Sequence, residues 1–212
     1  MRNFLKLLDT ALGDVTLNAQ QSAVIGSYFG NGAASFASSS PQIGEGGNIN
    51  VQISAAGVAP AGTGSDYVLA VYTLPAGCFD QAFRGLNITA MGTIASNTNA
   101  KRCKIIFNPT TAVVGQVVTG GTTVADTGVL NTTSAAGGWS LGADIFKYGA
   151  AGSNTQQAIH QQAQAGSVVG ALVAPSAVTA PENAPILVAI TGNAGTTAAD
   201  IVFNFMQIEA MN

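Results

Sequence analysis

The side chains able to do chemistry are few and scattered. The one histidine, His160, lies in Thr155–Gln164 (TQQAIHQQAQ). A Ser-His-Asp hydrolase needs its serine on a strained strand-to-helix turn, usually within G-x-S-x-G, and the chain is read as lacking that pattern. His160 is therefore read as a polar strand residue. In a strand, Gln156, Ala158, His160, Gln162 and Gln164 would share one face, with Gln157, Ile159, Gln161 and Ala163 on the other. A strand polar on both faces suits a solvated edge or a wet contact between subunits. Gln156, His160 and Gln162 are the residues expected on such an inter-subunit face.

Cys78 and Cys103 belong to no C-x-x-C pair, so their spacing excludes a zinc knuckle. They are read as two small buried hydrophobes, with pairing across neighbouring strands as the alternative. Asp66, Asp80, Asp126, Asp144, Glu182 and Asp200 each stand alone in their segments. No local pattern nominates a glycosidase pair or a metal cluster. Phosphate-binding glycine loops of either common pattern are absent. No catalytic residue, metal or cofactor is expected, and the chain is read as non-enzymatic. The aromatics Trp139, Phe146 and Tyr148 cluster in GGWSLGADIFKYG. Alternation puts Trp139, Leu141, Ala143 and Ile145 on one face and Phe146 and Tyr148 on the other. That split favours core packing over a carbohydrate platform.

Composition sharpens the reading. Charged residues make up 8% of the 212, against about 25% in an ordinary soluble domain. A surface of small neutral polar groups costs little to desolvate and suits broad, permanent contacts between subunits. Seven Lys and Arg and a net charge of −3 argue against a large nucleic-acid footprint, which draws on neutralised phosphates. Lys101, Arg102 and Lys104 are read as the solvated start of a strand. No apolar run approaches a membrane span. The apolar run at the N-terminus, broken by Lys6 and Asp9, is too short for a secretion signal. The N-x-T sequons at Asn87 and Asn131 are read as chance matches.

The elements that would carry these residues are almost all strands. Residues 1–14 have helical spacing, with Phe4, Leu8 and Leu12 at i, i+4 and i+8 and Leu5 beside them. Thereafter apolar or alternating runs are divided by Gly, Asn, Pro, Ser and Thr clusters. Strands are expected at Ser22–Phe29, Asn48–Ser54, Tyr67–Leu74, Leu86–Ala95, Arg102–Asn108 and Val113–Thr119. Further strands are expected at Thr122–Leu130, Trp139–Tyr148, Gln156–Gln164, Val168–Val173, Ile186–Thr191 and Ile201–Ile208. In the last, Ile201, Phe203 and Phe205 would share a face. Gly30–Gly47 and Ala55–Ser65 read as long loops. Short strands without interleaved helices point to an all-β antiparallel sandwich, a jelly roll, over 21–212 behind an N-terminal arm or helix at 1–20.

Three segments carry a resemblance: KRCKIIFNPTTAVVG (Lys101–Gly115), GGWSLGADIFKYG (Gly137–Gly149) and the stretch from Ala180 to Asn212. Over roughly Leu86–Asn212 the chain resembles tailed-bacteriophage virion proteins of the head decoration, cement or head-fibre type. The resemblance implies a jelly roll, a homotrimer, and a place on the outside of the head against the major capsid protein. It carries over no catalytic residue, nucleic acid or membrane. Under that reading Phe4, Leu5, Leu8 and Leu12 would anchor an arm on the capsid. Two alternatives are a receptor-binding or fibre-tip domain that recognises a cell-surface glycan, and a capsid shell protein. A glycan reader would place exposed aromatics and acids at loop tips.

Overall fold

Eleven strands are found among the described residues. They are β1 (Asn50–Val58), β2 (Tyr67–Leu74), β3 (Gly85–Ile94), β4 (Lys101–Phe107), β5 (Thr122–Asp126), β6 (Gly137–Lys147), β7 (Gln156–Ala165), β8 (Val168–Val169), β9 (Ser176–Val178), β10 (Ile186–Ala194) and β11 (Ile201–Met211). This computed structural model describes residues 50–130, 137–166, 168–169 and 176–211, with the backbone alone at 50, 159–162, 168 and 169. The expected arm at 1–20, the strand at Ser22–Phe29, the loop at Gly30–Gly47 and residues 170–173 of the expected Val168–Val173 strand lie outside the described residues.

The strands form two antiparallel sheets packed as a sandwich, which is the expected fold class. The larger sheet runs β1-β11-β3-β6-β7-β8, with β9 also paired to β7, and the smaller runs β2-β10-β4-β5. Alternation decides which side chains go in. Leu86, Ile88 and Ala90 of β3 and Leu141, Ala143 and Ile145 of β6 are buried, as are Ile105 and Phe107 of β4 and Val188 and Ile190 of β10. Each fully buried Leu, Ile or Phe contributes on the order of 1.5–3 kcal/mol. Trp139 belongs to this buried set, and its indole N–H donates to Val202 O at 3.0 Å.

Two bulges alter faces that simple alternation assigns. The β11–β3 register slips between Phe203 and Phe205. Ile201 and Phe203 point inward, but after the slip Met206 and Ile208 take the inner positions. Phe205 thus leaves the face it was expected to share with Phe203. The β6–β7 register slips between Asp144 and Ile145. Before that bulge in β7, Gln156 and Ala158 are buried; after it, Ala163 and Ala165 are.

The expected strand at Val113–Thr119 is a loop. Gln116 N–H donates to Val113 O at 2.9 Å, closing a turn. Gly115 has φ +83°, the left-handed value that a type II turn needs at its third position. The loop from Asn108 to Gly121 folds over the outer side of the small sheet. There Ala112 and Val118 pack with Val71 against Val68, Ile106 and Ala189. This covers both sides of β10 and accounts for its apolar sequence. β5 ends at Asp126 instead of Leu130, because the Asp126 side chain accepts Gly128 N–H at 2.8 Å and turns the chain.

Candidate functional site

The end of β6 carries the alternation one step past Ile145 and so brings Lys147 inside. Its ammonium is fully buried and pairs with Glu182. The Glu182 carboxylate also accepts Gly152 N–H at 2.6 Å and Gln156 Nε2–H at 3.3 Å. Glu182 N–H donates to Asn154 Oδ1 at 3.1 Å, and Gly77 N–H donates to Glu182 O at 2.8 Å. One buried ion pair therefore ties together the 149–155 turn, the start of β7, the 75–84 loop and the segment before β10. Burial works to raise the Glu182 carboxyl. The hydrogen bonds from Lys147 and Gly152 outweigh it and hold the group below the usual range.

Above this pair lies a groove of about 500 Å³ lined by Gly77, Asp80, Gly152, Asn154, Glu182 and Asn183. Asp80 is half exposed and is ion-paired to Arg84 at 2.8 Å. The same loops present two aromatics to solvent, Phe83 at 82% exposure and Tyr148 at 57%, so Tyr148 does not have the core-packing role expected of it. Phe83 N–H donates to Lys147 O at 2.9 Å, and Lys147 N–H donates to Arg84 O at 2.9 Å. Phe83 and Arg84 together face Lys147 as a G1 bulge, whose first position is normally glycine. Phe83 has φ +69° there, at a cost of roughly 1–2 kcal/mol for a residue with a Cβ.

The opposite end holds a second buried lysine, the first residue of β4. Lys101 Nζ donates to Asn97 O at 2.9 Å and Asn99 O at 2.8 Å. The side-chain amides of those asparagines donate to Asp200 at 2.8 and 2.7 Å. Arg102 Nε donates to Asp126 at 2.9 and 3.1 Å. Burial works to raise the Asp126 carboxyl, but Arg102 and Gly128 N–H bring it below the usual range. Lys104 pairs with Asp66, which also accepts Asn193 Nδ2–H at 3.1 Å. A strand does start at Lys101 as expected, but the solvated reading is corrected for Lys101 and Lys104, which are largely buried on their partners, while Arg102 stays partly exposed.

Of the residues nominated from sequence, Gln156 is buried. Its amide donates to Ala180 O at 3.3 Å and accepts Ala180 N–H at 2.9 Å. It braces the sandwich end and does not stand on an outer face. His160 and Gln162 have backbone positions opposite Asp144 and Gly142. Phe4, Leu5, Leu8 and Leu12 lie outside the described residues. The reading that G-x-S-x-G is lacking is corrected, since Gly138–Gly142 reads GWSLG, but Ser140 sits within β6 and on no turn. Ser140 is four strand positions from Asp144, about 13 Å along the strand, so these residues form no triad. Cys78 and Cys103 are both buried free thiols. Burial pushes the Cys78 thiol up to about 12 and raises Cys103 as well.

The groove had no local signal. Lys147 and Glu182 are far apart in sequence, and Phe83 sits in an ordinary-looking loop. The one usable clue was a lysine on the inward phase of Trp139–Ile145. No family model matches the chain, and no match is found among curated proteins or solved structures.

Proposed function

We propose that the chain is a virion structural protein of the head-decoration type, bound as a homotrimer to the major capsid protein on the outside of a phage head. We read the strand order as a jelly roll. In that reading β1-β11-β3-β6 faces β2-β10-β4-β5, with β7, β8 and β9 added at one edge. Fold alone does not assign a role. The observation that carries the proposal is the state of the charges. Every Asp, Glu, Lys and Arg among the described residues has a hydrogen-bond or ion-pair partner inside the chain.

The described residues then carry a net charge of only −2, five cations against seven acids, and exposed valines stand among small polar groups. Val113, Val114 and Val117 on the loop over the small sheet are all about half exposed. Such a surface desolvates cheaply and suits a dry, lasting protein contact. Phe4, Leu5, Leu8 and Leu12 would add an apolar anchor from each arm, and three linked arms gain from multivalency.

Light scattering of the purified protein, followed by co-sedimentation with undecorated phage heads, tests this. A trimer that sediments with the heads and raises their resistance to heat is the expected result. A monomer that ignores heads would overturn the proposal. Deleting Met1–Asp14 is expected to abolish head binding while leaving the trimer intact.

A further inference from the structure

The geometry points to a binding site for a neutral glycan at the Lys147 end of the sandwich, with Phe83 and Tyr148 as stacking platforms beside the Asp80–Asn154–Asn183 groove. This does not rest on the head-decoration reading, because it uses a different surface. Three observations carry it. First, Phe83 is exposed at 82% and holds φ +69°. The backbone there wants glycine, and the phenyl ring is nearly bare, so neither local conformation nor core packing accounts for a phenylalanine. A strained residue kept in place points to a use for its side chain.

Second, Tyr148 is exposed just past Lys147, the residue that Phe83 and Arg84 together face. The bulge thus holds the backbones carrying two exposed aromatics close together, on loops whose other residues line the groove. Aromatic faces take up the apolar C–H faces of sugar rings. Third, the groove offers amides and a carboxylate for hydroxyl groups but has no net charge. Asp80 is balanced by Arg84 and Glu182 by Lys147. No unpaired cation is present there to hold a sialic acid or a sulfate. The fitting ligand is an uncharged hexose or N-acetylhexosamine polymer. The groove is open to solvent, and its volume, about 500 Å³, falls within the range of small-ligand sites.

The test uses the full chain on an array of immobilised glycans: N-acetylglucosamine oligomers, glucans, mannans, and sialylated and sulfated controls. Wild type is expected to bind one or more of the neutral glycans. Phe83→Gly is expected to weaken that binding at least tenfold while leaving the melting temperature unchanged or raised. Tyr148→Ala should weaken binding with no change in melting temperature. Binding of charged glycans only, binding of none, or full retention by Phe83→Gly would each overturn the proposal. Loss of head co-sedimentation in Phe83→Gly, with glycan binding unaffected, would reassign the aromatics to protein docking.

Discussion

Two loops of this molecule expose apolar side chains, and each has a left-handed residue at its bend. In the valine loop that residue is Gly115, at φ +83°. In the 75–84 loop it is Phe83, at φ +69°. The first loop gives the backbone the residue it requires and offers valines on either side, with no ionisable group between Asn108 and Gly121. The second carries strain at an exposed aromatic, in a loop that also holds the Asp80–Arg84 pair. The contrast separates two kinds of surface. One is plain, apolar and suited to a flat protein contact. The other is shaped, part polar and suited to a small repeating ligand.

The largest effects should come from the ion pair beneath the groove. Glu182→Leu leaves the Lys147 ammonium buried without its partner, and urea unfolding should show a loss of about 3–5 kcal/mol. Adding Lys147→Met should recover most of that loss. A double variant no more stable than the single one would show that Lys147 is not the group left stranded.

Acid should reach the two regions in a fixed order. The folded Glu182 carboxyl lies below its ordinary value of 4.5. Its contribution is fully present above that value and is lost as pH falls through the lower folded one. Hydrogen exchange at decreasing pH should therefore expose the amides of Gly77 and Gly152, which bond to Glu182, before those of Gly115 and Val118. Simultaneous exposure would remove the distinction.

The two left-handed residues give opposite predictions. Gly115→Ala should cost about 1 kcal/mol. Its added Cβ would meet only Ala61, at 3.9 Å, so the cost is conformational. Phe83→Gly should instead stabilise by about 1 kcal/mol, read in the same unfolding experiment. The smallest difference is expected in thiol labelling. Both cysteines should resist a disulfide reagent at pH 8 in the folded state. Cys78 should react sooner, since it lies on the 75–84 loop and keeps 6% exposure against 1% for Cys103 in the centre of the small sheet.

Much of the framework was legible in the sequence. Tyr67–Leu74 is a strand over the expected residues, and Trp139, Leu141, Ala143 and Ile145 form the buried face that their alternation implies. These follow from period-two patterning in runs without interruption. Two failures share a cause. Phe205 and Gln156 were placed by extending alternation through β11 and β7, and each strand contains a bulge that resets the phase. The bulge in β11 coincides with the Trp139 indole reaching Val202 O, a tertiary contact that has no trace in the residues of β11. Val113–Thr119 has strand composition, but Gly115 turns it and the outer side of the small sheet holds it. The groove was illegible because its members come from three segments joined by one buried ion pair.

The central claim is the proposed docking on phage heads, with the valine loop lying against the capsid beside the arm's anchor. Hydrogen exchange of the full chain, free and bound to undecorated heads, tests it most directly. The account predicts new protection at Val113–Thr119, with Asp80–Arg84 unchanged. Head-bound protein showing no added protection at Val113–Thr119 would contradict it.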